Sequence, residues 1–168
     1  MISAWTPLTG SLAGLVAATA QVAVGKAEEV LFLPPGEDSN IAPRFVERLA
    51  EHAGESLPHS WRWVLGTLFH YGYGASWGAL YAILECWLAA RHRAPPPLLG
   101  GSLLGAVLYA LAFGPFGMAV QTGTERPPAR RPAAKTAVAW SVALTFGLVA
   151  AALTARWRPP PHPSSGVP

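Results

Sequence analysis

The stretch "TPLTGSLAGLVAATAQVAVG", residues 6–25, runs for twenty positions without a Lys, Arg, Asp or Glu. About twenty predominantly apolar residues in a helix are what crossing a hydrocarbon layer requires. A secretory signal peptide is the rival reading, because "ATA" has the small-x-small form of a cleavage site, but no basic start precedes the apolar run. The stretch therefore reads as a retained membrane helix. Three more segments repeat the pattern: Trp63 to Leu84, Leu98 to Val120 behind Pro95, Pro96 and Pro97, and Thr136 to Ala155. Prolines suit a helix start, where a missing N–H is not needed.

Composition agrees with a lipid solvent. The chain is 168 residues long, 51% hydrophobic and only 12% charged, too apolar for an ordinary soluble domain. Its net charge of +3 comes from twelve Lys and Arg scattered between apolar runs, so no basic face exists for nucleic acid. Cys86 is the only cysteine, which excludes an intrachain disulfide and a Cys-rich metal site. The expected fold is an all-α integral membrane protein. It has four transmembrane helices, at about 8–33, 61–90, 97–121 and 134–156, in one domain spanning residues 1–157.

Between the first two spans, "APRFVERLAEHAG" sets Phe45, Val46, Leu49, Ala50 and Ala53 on one side and Arg44, Glu47, Arg48 and Glu51 on the other. That spacing predicts a short amphipathic helix at about 42–54, lying on the membrane surface or across the bundle mouth. Residues 158–168 are Pro-rich and read as a disordered tail. Trp5, Trp61, Trp63, Trp87 and Trp157 fall near helix ends, where the indole suits the interface. The positive-inside count places both termini outside, with eight Lys and Arg on one set of loops against four on the other.

Helices in lipid associate by close contact, which small residues permit. Gly10, Gly14 and Gly25 on the first span, Gly66, Gly74 and Gly78 on the second, and Gly101 and Gly105 on the third recur at helical spacing. They are the expected packing positions. Gln21 and His70 share these stripes and are expected to face protein. Pro115, within "GPFG", removes a backbone donor and predicts a kink in the third span.

The polar candidates are few. Lys26, Glu28 and Glu29 end the first span, and His70 lies within the second. At 1.5 Å per residue, Lys26 sits roughly 10 Å inward of Leu33, and His70 roughly 13 Å inward of Trp61, so the four can meet in one half of the bundle. One reading is an anchored helix end with a locally paired Lys26 and Glu29 and a hydrogen-bonded His70. The other is a protonatable site made by Glu28 or Glu29 with His70. No nucleotide loop, no HExxH and no nucleophile constellation is present. His52 and His59 stand beside Glu51 and Glu55, but their spacing builds no tetrahedral metal site. Neither an enzymatic activity, a metal nor a cofactor is expected.

Taken together, the "LPP" of Leu33, Pro34 and Pro35 after a charged helix end, the His-containing "FHYGYGASWGALYA", and the Gly-rich "LLGGSLLGAVLYALAFGPFGM" resemble the YagU-like family of bacterial inner-membrane proteins, whose molecular function is not established. The resemblance covers roughly residues 10–155. It implies a multi-pass inner-membrane location, cytoplasmic termini against the charge count, and a loose association with acid tolerance. The chain departs from the family pattern in "LPPG" for the common "LPPR", in a short connector, and in a fourth helix without His. The expected role is structural or accessory, linked to envelope or acid stress. Its partners are the lipid bilayer and either further copies of the chain or other membrane proteins. The alternative is a small oligomeric ion- or proton-linked transporter or channel.

Overall fold

The computed structural model describes residues 5–158. The expected Pro-rich tail lies, but for Arg158, outside the described residues. Six α-helices follow in order: α1 (Trp5–Phe32), α2 (Ala42–His52), α3 (His59–Ala89), α4 (Pro97–Phe113), α5 (Met118–Gln121) and α6 (Ala133–Trp157), with a single 3-10 turn at Pro128–Arg130 before α6. Proline opens most of them. Pro58, Pro96 and Pro132 stand at the N-caps of α3, α4 and α6, and Pro43 sits in the first turn of α2. The ring holds φ near the helical value and no hydrogen bond is lost there.

The ends of α2 and α3 close by the same device. Glu55 N–H reaches back to the Ala50 carbonyl around Gly54 (φ +80°), and Arg93 N–H reaches back to Leu88 around His92 (φ +55°). Both are Schellman caps that satisfy an orphan carbonyl through one left-handed residue.

The four long helices run alternately up and down, and stand side by side in the spatial order α3, α1, α6, α4. α1 packs extensively on α3 and α6, and α4 on α6, whereas α3 and α4 barely touch. Between α1 and α3 and between α4 and α6 the backbones themselves meet. A Cβ at Gly10 would lie 2.6 Å from the Gly78 carbonyl oxygen, and one at Gly78 would lie 2.7 Å from Gly14 Cα. Gly101 approaches the Gly147 carbonyl and Gly105 the Ala143 carbonyl in the same way, at 2.7 and 2.8 Å from the added Cβ. Two expected packing glycines serve other neighbours: Gly66 lies under Pro43 of α2, and Gly25 lies between Ser39 of the connector and Val142 of α6.

Burial is inverted relative to a soluble bundle. The buried set is rich in small residues, including Ala13, Ala17, Ala18, Ala82, Ala143, Ala150 and Ala151, while Leu8, Leu12, Leu68, Leu80, Leu98 and Leu103 point outward.

Two expectations are corrected. Three helical segments, not four, are long and apolar enough to cross a membrane: Trp5–Phe32, Pro97–Gln121 and Ala133–Trp157. α3 has 31 residues, but His70, Tyr71, Tyr73, Ser76 and Tyr81 dilute its apolar character. At Pro115, α4 stops instead of kinking. Its cap Gly114 is extended, the chain turns through Gly117, and the separate α5 begins at Met118. Gly117 N–H, which a continued helix would aim at Phe113 O, donates to Gly114 O instead, so Phe113 O loses its helical donor.

Replacing Gly14 or Gly78 by Val is expected to lower the thermal midpoint of the solubilised protein by the equivalent of about 1–3 kcal/mol, the usual cost of overpacking. Gly72→Ala, where an added Cβ meets nothing within 4 Å, should leave the midpoint unchanged in the same melt.

Candidate functional site

The polar residues gather at the end of the bundle where α1 finishes and α6 begins. Lys26 Nζ donates to both carboxylate oxygens of Glu29 at 2.8 Å, one helical turn away, and lies 3.7 Å from Asp38. Glu29 Oε2 also accepts from the Ser39 backbone N–H at 2.8 Å and from Ser39 Oγ at 2.9 Å. The carboxylate thereby ties the connector after Pro34 and Pro35 back against α1. Glu28 points elsewhere, and its Oε1 accepts from Ser141 Oγ of α6.

His70 approaches the Ala18 carbonyl of α1 through Nε2, at 3.3 Å, and stands edge-on to Tyr71. The four sequence candidates thus divide. Lys26 and Glu29 form one unit, Glu28 turns to α6 and His70 to mid-α1; among the described residues no hydrogen bond or ion pair joins His70 to either glutamate.

His70 lines a cavity of about 110 Å³. α2 and the 39–42 segment border it, with Phe45 tilted against Phe69 at 4.8 Å and Phe69 stacked on Tyr73 at 5.7 Å. Gln21, Ser39, Asn40, His70 and Tyr73 supply its polar lining, and none of its lining residues is Asp, Glu, Lys or Arg. Leu108 and Phe146 line it and belong to a core cluster that continues through Tyr81, Leu104, Ala150 and Ala151 towards the opposite end. A small apolar group with one or two hydrogen-bonding atoms suits such a lining.

The strongest electrostatic feature escaped sequence reasoning. Glu125, in the turn between α5 and α6, is buried, and its Oε1 lies 3.2 Å from Lys135 Nζ and 3.4 Å from Arg44 Nη2. Its Oε2 lies 3.7 Å from Arg131 Nε, and Lys135 also reaches Glu37 at 3.4 Å. Arg131, with only 1% of its side chain exposed, donates through Nη2 to the carbonyls of Phe113 and Arg126. It therefore satisfies the helix end that Pro115 orphans. The hub clamps the α1–α2 connector, α2, the break after α4 and the start of α6 into one plate. The signal available in sequence was a single acid in the otherwise basic "ERPPARRPAAK".

His52 and His59 do not converge on a metal. His52 Nδ1 lies 2.7 Å from the Arg48 carbonyl and His59 meets Arg62. Among the described residues no group of three or more His, Cys, Asp or Glu is arranged to hold a metal ion.

No family model, no curated protein and no solved structure matches the chain.

Removing one partner of a buried ion network leaves an uncompensated charge, which costs about 3–5 kcal/mol. Glu125→Ala should therefore lower the thermal midpoint sharply. Glu28→Gln retains an acceptor for Ser141 and should cost less than about 1.5 kcal/mol, the net worth of one hydrogen bond. Melts of the two variants beside wild type check the order.

Proposed function

We propose that the chain is a four-span integral membrane protein with a structural or accessory role, binding partners or lipid instead of catalysing a reaction. The observation that carries this reading is the inverted burial: bulky apolar side chains face outward along α1, α3 and α4, and the buried set is rich in alanine. A surface of that kind is expected in lipid and aggregates in water. α3 joins the spans in this proposal despite its composition. Trp63 to Leu84 carries no formal charge, Val64, Leu68, Leu80 and Leu84 are exposed on it, and its buried Tyr81 and half-buried His70 turn inward. Polar residues of a membrane helix face the bundle interior in this way.

The accessory role draws support from the fate of the charges. Lys26, Glu28, Glu29, Arg44, Glu125, Arg131 and Lys135 all hold one element to another. None of them stands in the recess, where a reacting group would need it. Glycine-mediated packing of the GxxxG kind holds the spans together in this reading, and the YagU-like resemblance supplies the inner-membrane location and the tie to envelope or acid stress.

A second reading, a small oligomeric ion- or proton-linked transporter or channel, draws on one observation: the recess reaches His70. That no Asp, Glu, Lys or Arg lines the recess favours the accessory reading, because ion pathways in membranes are marked by charged residues.

Two experiments test the proposal. In a Cys86→Ser background, Glu55→Cys and Arg93→Cys should react with a membrane-impermeant maleimide from opposite sides of sealed vesicles; labelling from one side would remove α3 from the spans. In proteoliposomes the wild type should show no proton flux above protein-free vesicles. Flux abolished by His70→Ala would replace the accessory reading with the transporter. Deletion should impair growth or membrane integrity at acid pH.

A further inference from the structure

The end of the bundle remote from α2 has a different electrostatic character. At the capped end eight acids and eight bases balance, whereas Arg91, Arg93, Arg156 and Arg158 share the other end with one carboxylate, Glu85. The whole net charge of +3 resides there. Beside it, α3 and α4 splay apart and leave a side opening of about 240 Å³, lined by Leu80, Leu84, Leu103, Val107 and other apolar groups.

Two polar side chains interrupt that apolar wall, Tyr81 and Glu85, one helical turn apart on the same face of α3. Tyr81 Oη lies in the gap left by the missing side chain of Gly100. Glu85 is 2% exposed and pairs through Oε1 with Arg158 of α6. Tyr81 Oη and Glu85 Oε2 are both buried and have no hydrogen-bond partner among the described residues. A buried, unpaired carboxylate oxygen is costly and asks for a donor. Arg158 is partly exposed, and its remaining N–H groups can serve an anion.

We propose that the α3–α4 opening is a phospholipid site that selects an aminoethyl headgroup. An acyl chain fills the apolar groove, the primary ammonium donates to Glu85 Oε2, and the phosphate accepts from Arg158 and the neighbouring arginines. The choice of headgroup follows from the unsatisfied atoms. A primary ammonium offers three N–H donors, while choline carries the same charge with no N–H at all. Complementary charge alone would accept both, so the donor decides.

The inference rests on the membrane reading above. The purified full-length protein, loaded with equimolar phosphatidylethanolamine and phosphatidylcholine in mixed micelles, is examined by native mass spectrometry. Wild type should retain the ethanolamine lipid about tenfold over the choline lipid, the ratio of one modest charge-assisted hydrogen bond. Glu85→Gln should bring the ratio close to one. Should that variant fail to fold, Leu103→Trp fills the groove without touching the ion pair and should reduce retention of both lipids. Equal retention by wild type, a preference unchanged by Glu85→Gln, or total retention undiminished by Leu103→Trp overturns the site. Protein recovered in the aqueous phase without detergent would instead remove the membrane reading, and the site with it.

Discussion

The structure depends on how closely backbones approach one another at a few glycines. At Gly10, Gly14, Gly74 and Gly78, α1 and α3 leave no room for a Cβ, and Gly101, Gly105 and Gly147 do the same for α4 and α6. In water, burial of large apolar side chains would supply the energy of association. A bundle that turns its leucines outward forgoes that term, so dispersion between closely spaced main chains must replace it. Small inward residues and bulky outward ones are therefore two aspects of one solution. No such seam joins α3 to α4, where Gly100 meets the Tyr81 hydroxyl instead of a backbone, and there the bundle opens.

Charge completes what the seams begin. Helix seams hold pairs but do not position connectors, and the segments around residues 34–58 and 122–132 contain little apolar bulk. Glu29 and Glu125 do that work as acceptors. Each carboxylate collects donors from several segments, and Glu125 draws α2, the break after α4 and the start of α6 together. Burial strengthens each of these interactions and raises the penalty for leaving one unmade. The recess bordered by α2 lies beside this plate.

The two ends consequently differ in chemistry. One is electrically balanced and cross-linked by ion pairs beside a recess without charged lining. The other carries the net positive charge and opens sideways beside the buried Tyr81 and Glu85.

Sequence alone determined the helical class, the approximate bounds of the elements and the short amphipathic α2, because apolar run length, proline punctuation and 3.6-residue periodicity are local properties. The pairing of Lys26 with Glu29 was legible for the same reason, being one turn of helix. Which glycines face which helix was not, since Gly66 meets α2 and Gly25 meets a connector only once the chain has folded back. Nor was the divergence of Glu28 and Glu29, which are adjacent in sequence but rotated about 100° apart on the helix, so that one faces α6 and the other the connector. Pro115 marked a disturbance, but whether it bends or ends a helix depends on Arg131, eighteen residues later, being there to take the Phe113 carbonyl. Glu125 and Glu85 became sites only in three dimensions. A carboxylate's role is set by the cations and the solvent around it, and tertiary structure alone assembles those.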